Sequence, residues 1–527
     1  MSDVMRPINK IVLLMLENRS LDNVLGWLHE GIELPVERVL PRGSSRRFDG
    51  IPKGAVNRVG TTEHRPTRGT HGLPQPLRQP RWNPGELWEN VGNQCYWDGD
   101  GVERTPRWSR IGTPPMTGFA RDYDRWYDAP GEVMGAYTSD QLPVLYGLAE
   151  HFAVSDAWFS SVPTESNPNR AFALCGSSQG AVDNADTSYY QLPTLLGRLG
   201  AAPRPRSWTV FWQYDGALDM DPRKDGTCFT VDVFPEIRKA IERGDGSAAY
   251  WEEFFNAARN GTLPDVSFIE PFSTGGYGFP WGTDFVGLQG NDYHPPGWVG
   301  QAEWDLNRVY EALRDSPHWD ETLLVVTFDE HGGTYDHVPP PPAVRPDDSP
   351  GARPFGFDRM GVRVPAILVS PWVRPGTVFR APTGSAYPFD HTSVIATVLR
   401  WAGIDPTTAG LGARVAAAPT FEHVIGAELH DNKPDFTVPP EYQSMGGPKG
   451  PHNIPFDIGR LRPADFRRIE AEATTHVDYV HRLRREAALD GRSAATRARD
   501  WARTVAFLTE KRREARVGRR RGSPREL

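Results

Sequence analysis

The strongest constraint in this sequence is a pair of unbroken apolar runs that each stop at residues bearing carboxylates or amides. Ile11 to Leu16 (IVLLML) runs into Glu17-Asn18-Arg19-Ser20. Thr322 to Val326 (TLLVV) runs through Thr327-Phe328 into Asp329-Glu330-His331. Short apolar runs with no polar alternation suit strands buried on both faces, the kind found in parallel sheets covered by helices. In open α/β sheets the ligand sits outside the carboxyl ends of the strands, where both polar segments fall. Asp329 and Glu330 are adjacent, so both can reach one ion as the chain turns, and Gly332-Gly333 lets it turn with no Cβ in the way. Asp336 and His337 follow closely enough to line the same pocket, and the prolines from Pro339 to Pro342 stop regular structure. Two readings of this stretch stand side by side: a metal-dependent hydrolytic site, and an acidic, glycine-bearing surface loop.

The rest of the chain alternates strand-like and helix-like segments. After the first run, Glu17 and Asn18 are oxygen ligands suited to a hard cation, while Asn18 or Ser20 equally suits a helix cap. Residues 30–130 are rich in Pro, Gly, Arg and Trp and predict a long loop insertion walling a pocket, with Pro84-Gly85-Glu86 and Met116–Phe119 as its more ordered points. Leu142 to Trp158 predicts a helix and a following strand. The segment Pro163-Thr164-Glu165-Ser166-Asn167-Pro168-Asn169-Arg170 predicts a helix start. Ser166 would then lie where free N–H groups and the helix dipole favour an anion. That place suits a nucleophile attacking phosphate, and it suits an ordinary N-cap serine as well. Trp208–Trp212, Val266–Ile269 and Arg363–Ser370 read as strands, and Trp304–Leu313 and Val394–Trp401 as helices. His294, in the loop Asn291–Pro296, is a candidate phosphate contact, proton donor or metal ligand, and His391 stands at a helix start. The alternation predicts an α/β sandwich around a mostly parallel sheet.

Length and charge set the organisation. The 527 residues fit one large α/β domain with insertions, taken as 1–460, and a helical, Arg-rich extension over 461–527. Three scattered cysteines imply no disulfide framework and no zinc cluster. No apolar run approaches the ~20 residues of a membrane span, and the N-terminus lacks the features of a secretory leader, so a cytoplasmic location is the expectation. The net charge of −8 hides an asymmetry: Arg482 to Leu527 holds 15 Lys/Arg against 6 Asp/Glu, or +9, leaving −17 on the body. Such a tail fits peripheral contact with an acidic membrane or nucleic acid, and equally a solvated helix packed on an acidic body.

Four segments together resemble one family, the bacterial phospholipase C and acid phosphatase type phosphoesterases, which include plant non-specific phospholipases C within the alkaline phosphatase superfamily. Glu17-Asn18-Arg19-Ser20-Leu21-Asp22 is similar to its ENRSFD signature, with Leu for Phe. Ser166-Asn167-Pro168-Asn169-Arg170 is similar to [T/S]xPNR, and Asp329 to Val338 to DExGGxxDHV. Gly361-Val362-Arg363-Val364-Pro365 with Ser370-Pro371-Trp372 is similar to GxRVPxxxxxPW. The four stand in the family's order over residues 8–402, and four ordered matches are far more specific than one.

The resemblance implies an alkaline phosphatase-like α/β/α sandwich and hydrolysis of a phosphate ester or phospholipid. It implies Ser166 as the nucleophile and metal ligation by Glu17, Asn18, Asp329 and Glu330. His294 and His391 match family histidines near the phosphate, and His337 matches too. Four oxygen donors favour Ca²⁺, Mg²⁺ or Mn²⁺, with Zn²⁺ as the alternative. A phosphomutase or sulfatase on the same scaffold, or a non-catalytic relative binding lipid or nucleic acid, are the competing expectations. The long bacterial phospholipases carry C-terminal β-domains, whereas residues 430–527 read as helical and Arg-rich, and no histidine stands in an evident family position near Glu86.

Overall fold

The computed structural model describes residues 5–443, apart from 98–111, 214–227, 272–289 and the single positions 6, 74, 126, 128, 185, 188, 201 and 203. The predicted extension over 461–527 and its boundary near 460 therefore lie outside the described residues.

Both apolar runs become central strands. The main sheet contains β1 (Lys10–Leu16), β2 (Val39–Leu40), β3 (Ala153–Ser155), β4 (Trp208–Trp212), β5 (Ser247–Tyr250), β6 (Val266–Glu270), β7 (Thr322–Phe328), β8 (Ala366–Val369) and β9 (Thr377–Phe379). Their spatial order is β5-β4-β6-β1-β7-β8-β3-β9-β2. Every residue of β7, and every residue of β1 after Lys10, is buried, which explains the absence of polar alternation in both. All neighbouring pairs are parallel except those of β8, which runs antiparallel to β7 and to β3. The reason is local. A parallel return needs a crossover, usually a helix, and residues 329–365 contain none.

The helices that position the site are α1 (Leu21–Leu25), α2 (Trp88–Tyr96), α3 (Phe119–Asp124), α4 (Pro143–His151), α5 (Ser166–Cys175), α6 (Val299–Arg314) and α7 (His391–Trp401). α4 and Trp251–Asn260 pack on α6, while α5, Leu195–Gly200 and Gly412–Ala417 pack on α7. These two groups cover the sheet as an α/β/α sandwich around one large apolar core. Among the described residues no helix is long and apolar enough to cross a membrane.

The sequence expectation differs from the structure in extent rather than in type. The helix predicted from Trp304 begins at Val299, and the strand predicted over Arg363–Ser370 is confined to Ala366–Val369. Residues 30–130 hold more order than a loop insertion implies. They contain α2 and α3, and Trp88, Val91, Cys95, Phe119 and Tyr123 form a second core with Phe172 and Tyr335. The α2 sequence WENVGNQCY has one glycine and two asparagines, all weak helix formers. Its apolar stripe is short, so packing rather than propensity makes the helix.

A buried ionic clasp joins three of the sequence motifs. The Arg363 guanidinium donates to Asp336 Oδ1 at 3.0 Å and to Asp22 Oδ1 at 3.0 Å. It also donates to the carbonyls of Asp49 and Asp156, at 2.8 and 2.9 Å. His337 places Nδ1 2.7 Å from Asp22 Oδ2 and Nε2 3.3 Å from Asp49 Oδ1. α1 is thereby tied to the loop after β7 and to the approach to β8. Burial alone would lower the His337 pKa, but its bonds to Asp22 and Asp49 outweigh burial and raise it to about 9.

The sign of the consequence follows. A folded value above the ordinary ~6.5 means that the clasp contributes fully below about pH 6.5 and is lost as pH rises through about 9. We expect His337→Asn to lower the melting temperature at about pH 6, with the gap from wild type closing by about pH 10. Thermal melts of both proteins across that range check this, and a gap that stays constant would contradict the charged clasp.

Candidate active site

The register of two strands sets the geometry. Leu16 of β1 pairs with Phe328 of β7, and the Asp329 N–H donates to the Leu16 carbonyl at 3.0 Å. Glu17 and Asp329 therefore leave the sheet side by side. Asn18 turns the chain at a φ of +59°, in the left-handed region that Asn tolerates better than most residues. Its N–H donates to Asp329 Oδ1 at 2.9 Å, and that oxygen also accepts the Glu330 N–H at 2.7 Å. Gly332, at φ +59°, passes directly against this turn, and a Cβ there would lie 2.0 Å from the Asn18 carbonyl oxygen. Only glycine allows the two loops to approach so closely.

The other residues of the first motif are anchors. Arg19 donates from Nε to the Tyr293 carbonyl at 2.7 Å, fixing the residue before His294. Ser20, not Asn18, is the cap of α1, accepting the Asn23 N–H. In the second motif Ser166 is the first residue of α5, and the cap position belongs to Glu165, whose side chain makes no capping bond. The Ser166 hydroxyl donates instead to Asn18 Oδ1 at 3.2 Å, directly linking the first two motifs. Asn169 shapes the approach: its Oδ1 accepts the Val162 N–H, and its Nδ2 donates to the Val162, Thr164 and Glu165 carbonyls. Arg170 reaches from α5 to Glu17 Oε1 at 2.8 Å and Asp329 Oδ2 at 3.5 Å. Sequence reasoning gave Arg170 no role, although the motif contained it.

The three candidate histidines divide. His391 is buried in the first turn of α7, and its Nε2 lies 2.6 Å from the Asp329 carbonyl oxygen, so it must donate there. Burial holds its pKa below the usual histidine range, which leaves Nδ1 without a proton, and that atom has no hydrogen-bond partner. His294 donates Nδ1–H to the Pro295 carbonyl at 2.5 Å and turns Nε2 toward Glu86 Oε1 at 3.9 Å. Burial would lower its pKa, but Glu86, Glu17 and Asp292 outweigh burial and raise it. Glu86 thus belongs to the site, and the Pro-Gly turn before it was the only sequence signal. His337 lies in the clasp, where its partners are Asp22 and Asp49 and not the residues around Ser166.

Two acidic groups compete as cation sites. Asp22, Asp336 and His337 have ligand atoms all within 4.8 Å of one another. Arg363 already pairs with both carboxylates, so the charge that would attract an ion is neutralised. The carboxylates near Ser166 are in a different balance. Burial drives Glu17 up to about 8, with Arg170 opposing and Asp329 and Asp292 adding to the rise. Burial, Glu86 and Asp329 push Glu330 well above the usual carboxylate range. Glu330 Oε1 and Asp329 Oδ2 are buried with no hydrogen-bond partner, and Asn18 offers its Oδ1, which also accepts the Ser166 hydroxyl. Buried oxygens with unused lone pairs are the kind of donor a hard divalent cation takes, although among the described residues Glu17, Asp329 and Glu330 do not bring three ligand atoms within 4.8 Å of one another as the first group does. Glu17, Asn18, Asp329 and Glu330 fit such an ion chemically.

Comparison with known proteins bears on this arrangement. A sequence model of the phosphoesterase family matches residues 8–404. Non-specific phospholipase C4 of Arabidopsis thaliana is 32% identical over 435 residues, covering 80% of this chain and 72% of that protein. The hemolytic phospholipase C of Pseudomonas aeruginosa is 25% identical over 448 residues, covering 76% of this chain and 53% of that protein. A solved Vibrio parahaemolyticus protein in the alkaline phosphatase superfamily superposes with a TM-score of 0.30 and 14% identity over 55% of this chain and 67% of its own, too distant to carry any argument. With the match running from the start of β1 to the end of α7, and its motifs meeting at one buried edge of the sheet, the chain belongs to the phosphoesterase family and hydrolyses phosphoric ester bonds.

Proposed function

We propose that the chain is a metal-dependent phosphoric ester hydrolase acting through a phosphoserine on Ser166, with phospholipase C-like substrates. One observation carries this reading: the Ser166 hydroxyl stands at the open start of α5, bonded to Asn18 beside the carboxylate cluster. The substrate class rests on the named relatives, which are phospholipases C.

The chain's own groups supply most of the chemistry. The Ser166 N–H and the dipole at the start of α5 receive a phosphoryl oxygen; the Asn167 N–H already donates to Asn184 Oδ1 and Pro168 has none. Asn18 Oδ1 orients the Ser166 hydroxyl toward phosphorus. As the Oγ proton leaves to solvent, Oγ forms a bond to phosphorus and the ester P–O bond breaks. His294, held protonated by Glu86, Glu17 and Asp292, donates its proton to the departing alkoxide. The neutral His294 then takes a proton from the water that attacks phosphoserine, releasing phosphate or a phosphomonoester. His391 is unsuited to proton donation, because its one N–H is committed to the Asp329 carbonyl. A cation held by Glu17, Asn18, Asp329 and Glu330 would, when bound, neutralise phosphoryl charge and favour the serine alkoxide.

Two expectations follow. Ser166→Ala should lose on the order of 10³-fold or more in turnover. It should stay folded, because the hydroxyl caps nothing and its one hydrogen bond is worth about 1 kcal/mol. Acid quench of wild type during turnover, followed by peptide mass spectrometry, should find phosphate on Ser166. A folded Ser166→Ala protein with near-normal turnover would sink the assignment. Separately, chelation should remove activity, and re-adding Ca²⁺, Mg²⁺ or Mn²⁺ singly should restore it. Calorimetric titration of Glu330→Gln should show at least ~10-fold weaker binding of the restoring ion. Full turnover in metal-free protein would contradict the cation's part.

A further inference from the structure

Behind Glu330 lies a buried polar relay that the mechanism above does not use. Gln94, in the middle of α2, is almost completely buried. Its amide nitrogen donates to the Gly85 carbonyl at 2.7 Å and to Asp122 Oδ2 at 3.1 Å. Asp122, on α3, also accepts from Asn90 at 3.1 Å and more weakly from Asn93 at 3.4 Å. These partners fix the direction of the Gln94 amide. Reversed, its oxygen would face a carbonyl and a carboxylate with no proton between them. Gln94 Oε1 is therefore an acceptor, and it lies 2.7 Å from His331 Nε2.

His331 is buried, and its ring packs nearly perpendicular to Phe119, at 88° with the centroids 6.0 Å apart. Its Nε2 must carry the proton that reaches Gln94. Its other nitrogen, Nδ1, is 3.2 Å from Glu330 Oε2. That Glu330 oxygen also accepts the Gly332 N–H at 2.8 Å. Glu330 Oε1 is then the oxygen left without a partner. The Gly85 carbonyl held by Gln94 belongs to the residue before Glu86, the carboxylate that faces His294.

We infer that Gln94 is a positioning residue for the catalytic site: it locks His331 as the Nε2–H tautomer, and through Gly85 it sets the Glu86 carboxylate that faces His294. The inference rests on the reading that Glu86 and His294 border the reacting phosphate. It gives the 30–130 insertion a task. The insertion is the back wall against the loop after β7, with α2 supplying Gln94, Asn90 and Asn93 and α3 supplying Asp122.

The test separates tautomer from turnover. Long-range ¹H–¹⁵N spectra of ¹⁵N-histidine-labelled full-length protein, with His331 assigned by comparison with His331→Gln, read the tautomer directly. Wild type and Ser166→Ala should both show His331 as Nε2–H, so the lock is read whether or not Ser166 is the nucleophile. Gln94→Leu should lose the fixed tautomer and lower kcat on a chromogenic p-nitrophenyl phosphate ester by roughly 10–100-fold, with KM little changed. The double variant Gln94→Glu with Asp122→Asn keeps an acceptor at His331 but leaves the Gly85 carbonyl without its donor, and should recover the tautomer while kcat stays low. It also carries the test if Gln94→Leu does not fold. An Nδ1–H tautomer in wild type, an unchanged His331 signal in Gln94→Leu, a normal kcat in Gln94→Leu, or a folded double variant that lacks the tautomer or turns over normally would each overturn the inference.

Discussion

The site depends on one pairing, the parallel register of β1 on β7. Leu16 opposite Phe328 places Glu17 beside Asp329, and everything that follows is consequence. Two neighbouring carboxylates at the end of a buried sheet cannot both be left bare, so each collects donors. Asp329 takes the Asn18 and Glu330 N–H groups and the Arg170 guanidinium, and Glu17 shares that guanidinium. Since Arg170 extends from α5, the same ion pairs draw the helix that begins at Ser166 toward the sheet edge. A one-residue slip of β1 would turn its side chains to the opposite face and separate the pair.

Two acidic clusters close together in sequence have opposite electrostatic fates. At Asp22 and Asp336, Arg363 and a protonated His337 match the carboxylates, and the result is a structural clasp. Around Ser166, Glu17, Asp329, Glu330, Glu86 and Asp292 share Arg170 and His294. Beyond the pairs that Arg170 makes with Glu17 and Asp329, negative charge there is in excess and held out of water, and burial together with that charge raises the pKa of Glu17 and Glu330. That imbalance is costly for stability and useful for binding a cation and, with it, an anionic substrate. The clasp holds the imbalance in place, because it fixes α1 and the loop after β7 independently of anything bound.

Much of this was legible in the sequence. Apolar runs without alternation marked β1, β4, β6 and β7, since strands buried on both faces have no other pattern. The start of α5 was marked by its proline and polar residues, although the cap is Glu165 and not Ser166. Other features depended on contacts that no local pattern encodes. His337 lies seven residues after Glu330 and seemed close enough for the same pocket. The turn through Gly332 and Gly333 instead delivers it to Asp22, over 300 positions away in the chain. Glu86 and Gln94 lie in a stretch whose weak periodicity read as loop, and only the packing of α2 and α3 against His331 reveals their place. The antiparallel β8 was likewise hidden, because its direction depends on a missing crossover rather than on its own residues.

The claim at the centre of this account is that the unbalanced cluster, and not the clasp, is where a cation and the nucleophile meet. A crystal structure of the protein grown with Mn²⁺ tests it most directly, using the anomalous signal of manganese to locate the ion. The account predicts a peak enclosed by Glu17, Asn18, Asp329 and Glu330 and facing the Ser166 hydroxyl. A peak bound instead by Asp22, Asp336 and His337, or no ordered ion under conditions that support turnover, would contradict it.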